Sequence, residues 1–297
     1  MEQLIVRRAQ KADFEAISKI IALQNQKPET HCIHSDTGED AQSILGELIR
    51  LDADGEICFV MASADGQLTG LMGCELDEEL GRGWLRGPII VDDRKNWTAS
   101  AGQLFEALLD MLPPSIRQLD TYLNIENLCG NDFYLGRDFK RLRLVHVYEC
   151  LPSQKASAPF DLCEPLLPGE AQEFVELHDI LFPGTYATGQ RILEKVDGRH
   201  QVFVYRNGNE IMGYLYTVID EDTGDGSVEF IGVREDARGK GIGRQLLQTA
   251  LHWLFEDKLV PKVMLVVNDD LSNARSLYES VDFKLKYTGV HNRKIRG

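Results

Sequence analysis

Val233-Arg234-Glu235-Asp236-Ala237-Arg238-Gly239-Lys240-Gly241-Ile242-Gly243-Arg244-Gln245-Leu246-Leu247 joins a run of β-formers, Ser227 to Val233, directly to an amphipathic helix. In that helix Ile242, Leu246, Leu247, Ala250, Leu251 and Leu254 recur at helical spacing. The first N–H groups of a helix have no internal partner and carry the positive end of its dipole, so such a junction is a ready anion site. Gly241 and Gly243 lack Cβ atoms, which lets the main chain take positive φ and approach phosphates closely, while Arg238 and Lys240 add charge. Two other phosphate loops are excluded. A Rossmann fingerprint needs a small residue where Leu246 stands and normally opens its fold. The Walker pattern G-x-x-x-x-G-K-[ST] is absent.

Working outward, Glu170 to Leu181 and Gln190 to Val196 read as helices, and Gln201 to Tyr205 and Ile211 to Ile219 as strands around an Asn207-Gly208 turn. After the glycine loop come a strand from Lys262 to Val267, a helix from Ser272 to Val281 and a last strand near Phe283 to Tyr287. The order predicts an α/β fold, a mixed sheet with helices on both faces. Phe133-Tyr134-Leu135-Gly136-Arg137-Asp138-Phe139 reappears 144 residues later as Leu277-Tyr278-Glu279-Ser280-Val281-Asp282-Phe283. Gln103-Leu104 likewise pairs with Gln245-Leu246, and Gly70 with Gly213. Two diverged copies of one fold follow, over 1–151 and 160–297, joined by a polar, proline-bracketed linker at 152–159.

The bulk properties agree with two domains: 297 residues, 43% hydrophobic and 27% charged, suit two soluble cores. No leader-like or membrane-spanning apolar run is present, so a cytoplasmic protein with no membrane partner is expected. Six scattered cysteines without a C-x-x-C pair favour reduced thiols, with no metal and no disulfide expected. A net charge of −15 opposes nucleic-acid binding and tolerates a cationic small substrate.

The loop Arg238-Gly239-Lys240-Gly241-Ile242-Gly243 resembles the R/Q-x-x-G-x-G/A acetyl-CoA loop of the GNAT N-acetyltransferase superfamily. Ile231-Gly232-Val233 resembles the family strand that hydrogen-bonds the pantetheine arm. The run from Asn273 through Leu277-Tyr278 to Asp282-Phe283 resembles its later A-x-x-L-Y-x-x-x-G-F helix, with Asp282 at the usual glycine position, as Asp138 is in the first copy. The resemblance covers roughly residues 200 to 290. It implies two tandem domains of acyl-CoA N-acyltransferase type and an acetyl-CoA site formed by Ile231, Gly232, Val233, Arg238, Gly239, Lys240, Gly241, Ile242, Gly243, Arg244 and Asn273. In the first copy the matching stretch, Val91 to Gly102, lacks paired glycines and carries Trp97 where phosphates need bare backbone, so that copy is read as degenerate.

Acetyl transfer needs polarisation of the carbonyl, a neutral amine and a proton for the departing thiolate. The resemblance puts the polarising N–H near Gly232 or Val233 and makes Tyr278 the general acid, while the helical stripe of Ala274, Leu277, Tyr278 and Val281 also allows a plain core tyrosine. Glu229 stands two residues before Ile231 and four before Val233, so alternation puts all three on one strand face and makes Glu229 either a candidate base or half of a strand-end salt bridge. Tyr214 and Tyr216 share a strand face and are equally open to core or acceptor-cleft roles. His31-Cys32-Ile33-His34 reads as a polar loop, and Asp220 to Asp225 as a solvated hairpin turn. The expected activity is transfer of acetyl from acetyl-CoA to a primary amine of a small molecule or peptide, by a monomer or homodimer. The alternatives are a non-catalytic acyl-CoA-binding or regulatory module and acetylation of an amino-sugar thiol conjugate.

Overall fold

The computed structural model describes residues 4–91, 96–152, 163–268 and 272–296. Two compact units emerge, Met1–Val145 with Thr288–Gly297, and His146–Tyr287. The expected linker at 152–159 lies almost wholly outside the described residues. In the first unit β1 (Ile5–Arg8) leads to α1 (Phe14–Asn25), α2 (Ala41–Ala53), β2 (Ile57–Ala64), β3 (Gln67–Asp77) and β4 (Arg82–Ile90). Then come α3 (Trp97–Leu109), β5 (Gln118–Asn124), α4 (Leu128–Leu135) and β6 (Lys140–Cys150), whose last residues belong to the second unit. That unit continues with β7 (Cys163–Pro165), α5 (Ala171–Leu181), α6 (Gly189–Lys195), β8 (His200–Asn207), β9 (Glu210–Ile219) and β10 (Gly226–Val233). It ends with α7 (Ile242–His252), β11 (Val263–Asn268), α8 (Ser272–Glu279) and the start of β12 (Lys284–Ile295).

Strand order is β1-β2-β3-β4-β5-β12 in the first unit and β6-β11-β10-β9-β8-β7 in the second. Hairpin neighbours are antiparallel, whereas β4 with β5 and β10 with β11 are parallel and joined through a helix. In the first unit α3 packs Leu104, Phe105 and Leu108 on one sheet face, and Ile17, Ile44 and Leu48 of α1 and α2 cover the other. In the second unit α7 covers one face with Ile242, Leu246 and Leu247, and α5 and α6 cover the other with Phe174 and Ile192. Burying each such side chain contributes about 1.5–3 kcal/mol. Among the described residues no helix is long and apolar enough to cross a membrane.

The elements of the second half fall where periodicity places them, except the last strand. It runs on to Ile295, and Gly289–Ile295 pair antiparallel with Asn124–Gln118 of β5. The chain's last ten residues thus sit in the first unit, whereas the sequence reading keeps them with 160–297. Asp120 holds them there: its buried carboxylate accepts from His291 Nε2 at 2.6 Å and Arg293 Nε at 2.7 Å, beside Arg82 Nε at 2.6 Å.

Two features repeat between the units. Asp138 and Asp282 have φ of +65° and +70°, and the N–H of Phe139 and of Phe283 each donate to the carbonyl five residues back, at 3.2 Å. Aspartate therefore takes the left-handed cap that glycine would take, and these helix ends keep one shape despite the substitution. Parallel pairing also stops at matching positions, after Leu85↔Thr121 in one unit and Val228↔Leu265 in the other.

Candidate functional site

Beyond Val228 the strand β10 keeps its partner β9 but loses β11. Arg234 N–H donates to Met212 O, so antiparallel alternation turns the N–H and C=O of Gly232 toward β9 and those of Ile231 and Val233 toward the open edge. Of the two residues expected to offer a polarising N–H, Val233 is thus the one that faces the gap. Gly232 has another use: a Cβ there would meet Leu181 Cδ1 at 2.6 Å, so its absence lets α5 lie close over the strand.

The glycine loop follows. Gly239 and Gly241 have φ of +76° and +78°, and nothing lies within 4 Å of where their Cβ atoms would stand. Gly241 is the N-cap of α7; among the described residues no side chain caps this helix, and its first internal bond runs from Gln245 N–H to Gly241 O. The N–H groups of Ile242, Gly243 and Arg244 precede that bond and face a bare loop. Gly243 does not take positive φ as expected; it is helical, and its missing Cβ admits Leu277 of α8, whose Cδ2 would otherwise stand 3.1 Å away. Arg238 Nε donates to Val233 O and Lys240 Nζ to Asp236 O, both at 3.2 Å, which keeps two cations at the loop. The side chain of Asn273 lies outside the described residues. A groove of about 790 Å³ opens beside the loop, lined by apolar Leu177, Ile180, Leu181 and Ile211, by Arg234 and Arg238, and by Glu173, Glu176, Glu235 and Asp236.

Glu229 does not share a face with Ile231 and Val233. The β9–β10 register shifts between Val228 and Phe230, so Glu229 is a bulge residue and alternation is broken there. Ile231 and Val233 pack toward the α7 side, whereas Phe230 belongs to the core under α5. Glu229 turns to the latter side: its carboxylate accepts from Ser227 Oγ at 2.6 Å and from the Tyr186 hydroxyl. Burial, then the Glu229 carboxylate, raises the Tyr186 phenol well above its ordinary pKa, although 43% of that residue remains exposed. Tyr186 and Ser227 were invisible to spacing arguments. Tyr186 sits in the α5–α6 loop, 43 residues from its partner, and its one sequence signal is a lone aromatic among turn-formers.

Tyr214 and Tyr216 are both buried in the core under α5. The Tyr214 hydroxyl donates to His178 Nδ1 at 2.6 Å, and His178 Nε2–H donates to Ala187 O at 2.9 Å, which is the neutral tautomer these partners require. Burial lowers the His178 pKa, consistent with that form. Tyr278 on α8 is 7% exposed, packs near Tyr148 and Phe283, and among the described residues its hydroxyl has no hydrogen-bond partner. Burial pushes its phenol up to about 12. Asp220 caps its own turn through Thr223, as a hairpin should.

The matching gap of the first unit is filled. His31–Ile33 is not a solvated polar loop: Cys32 bridges to Leu123, Ile33 N–H donates to Tyr122 O at 3.0 Å, and Asn124 N–H donates to His31 O at 3.1 Å. These bonds start on β5 where its pairing with β4 stops. On the β4 side Gly87 is satisfied twice, its O by the Tyr134 hydroxyl at 2.7 Å and its N–H by Cys32 Sγ at 3.4 Å. Gly239–Gly241 correspond to Trp97–Ala99, which are already helical in α3, and Trp97 packs edge-on to Phe133. Residues 92–95 lie outside the described residues.

Residues 171–283, most of the second unit, match the sequence model of the acetyltransferase (GNAT) family. The second unit therefore matches the GNAT acetyltransferases in sequence, a family whose members use acetyl-CoA as co-substrate. The chain is similar to mycothiol acetyltransferases: 33% identical over 91 residues to that of Streptomyces avermitilis, covering 31% of this chain and 29% of that protein. To that of Saccharopolyspora erythraea it is 25% identical over 264 residues, covering 80% of this chain and 85% of that protein. The chain spans under half the length of the first relatives it matches, from 29% to 48%. A GCN5-related N-acetyltransferase from Sphaerobacter thermophilus shares the fold, with a TM-score of 0.77 at 20% identity over 98% of this chain and 95% of that one.

Proposed function

We propose that the chain transfers an acetyl group from acetyl-CoA to a primary amine of a small molecule or peptide, and that the second unit does this alone. The observation that carries the reading is the open edge of β10 running into an uncapped, glycine-lined helix start. These residues fit a pyrophosphate: bare backbone at Gly239 and Gly241, and three free N–H groups from Ile242 to Arg244 beside Arg238 and Lys240. The edge groups of Ile231 and Val233 suit the amides of a pantetheine arm, and Asn273 is assigned to the same site by its place in the A-x-x-L-Y-like run.

Bound acetyl-CoA supplies the acetyl group as a thioester and leaves as the free thiol. Val233 N–H is the donor available to the acyl oxygen. Glu229 takes the proton the ammonium must lose, directly or through water, before nitrogen forms its bond to the acyl carbon and the carbon–sulfur bond breaks. Tyr278 offers its phenolic proton to sulfur. Full transfer from a phenol near 12 to a thiolate of ordinary pKa near 8.5 is uphill by about 5 kcal/mol. Tyr278 therefore acts by hydrogen bonding to sulfur as charge develops, and the second proton that nitrogen sheds as the amide forms passes through water to the thiolate.

The mycothiol acetyltransferase relatives favour one narrower reading, an acceptor built as an amino-sugar thiol conjugate. The test is release of free CoA thiol from acetyl-CoA across a panel of alkyl amines, amino sugars, peptides and amino-sugar thiol conjugates. Turnover with any of them supports an acetyltransferase, and preference for the last supports the narrower reading. Binding without turnover would mark an acyl-CoA-binding module instead.

A further inference from the structure

Glu229 differs from three ion-paired carboxylates of this unit. Glu170 is paired with Arg206, Glu149 with Lys286, and Asp225 with Lys262. Glu229 is bound by two neutral hydroxyls, and among the described residues no Lys, Arg or His lies within ion-pair distance of it. A cation partner would cancel the charge, whereas hydroxyl donors orient a carboxylate and leave its charge for a ligand. Of the two donors Ser227 is its near neighbour on β10, but Tyr186 comes from a separate loop that is itself pinned. Arg191 Nη1 donates to Tyr186 O at 3.3 Å, His178 donates to Ala187 O, and Gly189 N–H donates to Asp179 Oδ1 at 2.9 Å. The Tyr186 ring stacks on Phe230 at 5.2 Å, the residue next to Glu229. The Tyr214–His178–Ala187 chain thus fixes the loop, the loop fixes the ring, and the ring's hydroxyl fixes the carboxylate.

We infer that Tyr186 is a positioning residue that aims the Glu229 carboxylate at the acceptor ammonium, and that this subsite selects amines with no carboxylate beside the nitrogen. The inference rests on the reading of Glu229 as base. An aromatic wall and an uncompensated carboxylate attract a compact ammonium ion. With no cation beside Glu229 among the described residues, an α-carboxylate on the acceptor meets repulsion and no partner.

The experiment compares wild type, Tyr186→Phe and Glu229→Gln, using the most active amine of the panel and its α-carboxylated analogue. The phenylalanine keeps the stack on Phe230 and removes the hydroxyl. Its kcat should fall about 10-fold, the scale of one hydrogen bond to a charged group, with the KM for acetyl-CoA and the melting temperature unchanged. Wild-type kcat/KM for the carboxylated analogue should be lower by at least about 10-fold. A Tyr186→Phe variant with full kcat, beside an inactive Glu229→Gln, would overturn the positioning role while leaving Glu229 as base. A parallel loss of acetyl-CoA affinity would make Tyr186 merely structural. Equal use of the carboxylated analogue would overturn the selectivity. Full activity in Glu229→Gln would instead remove the base reading on which the inference stands.

Discussion

Two parallel strand pairs part at matching positions, after Leu85 in the first unit and after Val228 in the second, and what happens next distinguishes the two units. Parting strands leave N–H and C=O groups that must find partners. The first unit finds them within itself, through His31–Ile33 on β5 and through Tyr134 and Cys32 on Gly87. The second, among the described residues, leaves the edge groups of Ile231 and the Val233 N–H open, with Val233 O taken only by the Arg238 side chain. One offset also sets Arg86 against Glu229. Arg86 is buried in bonds to Glu47 at 2.7 and 3.0 Å and to Glu75 at 2.9 Å, while Glu229 is exposed and, among the described residues, bound only by hydroxyls. The lost glycines are thus only part of the degeneracy; the gap itself has been closed by protein groups.

The largest expected effect is at the loop. Gly241→Glu puts a side chain on a residue at φ +78° and a negative charge where the pyrophosphate would lie, so acetyl-CoA affinity should fall by more than about 10²-fold. The corresponding change in the first unit, Ala99→Glu on the exposed side of α3, should leave affinity unchanged. Titration of both variants with acetyl-CoA checks this pair, and equal losses would break the comparison.

Next comes the repeated tyrosine. Tyr278→Phe keeps the ring and loses the donor, so kcat should fall by about 10²-fold while the fold survives. Tyr134→Phe should do the reverse, leaving kcat intact but stranding the buried Gly87 carbonyl at a cost of about 1–3 kcal/mol of stability. Steady-state kinetics beside melting curves separate the two. Unchanged kcat in a folded Tyr278→Phe variant would remove that residue from the mechanism.

What was legible in the residues was local. The glycine loop, the amphipathic α7 and the repeat of Tyr134 and Tyr278 are read within a few residues, and each stands where spacing puts it. The face of Glu229 was misread because one bulge residue resets period-2 alternation, and nothing in Val228-Glu229-Phe230 announces it. The plug at His31–Ile33 and the Tyr186 contact join residues far apart in sequence, which no periodicity encodes. The exchange of the chain end was hidden for a related reason. β12 is continuous through Tyr287, and only pairing partners show that its two halves serve different units.

A smaller effect is the acid sensitivity of the plug. Burial, then the Arg86 guanidinium, pushes His34 down to about 3, whereas an unfolded histidine titrates near 6.5. Below 6.5 the unfolded chain therefore binds more protons, so stability falls as pH drops toward 3, by at most about 1.4 kcal/mol per pH unit. Melting temperature against pH should show this slope, and His34→Gln should flatten it above pH 4. A slope unchanged by that substitution would assign it to other groups.

The central claim is one open gap and one closed gap per chain, and the most direct measurement is the stoichiometry of acetyl-CoA binding by calorimetry. One site per chain is predicted, and at about 100 times its Kd the ligand should add about 2.7 kcal/mol of stability. Two sites of similar affinity would contradict the account, because the first unit would then be binding where Cys32, Ile33 and Tyr134 already fill the gap.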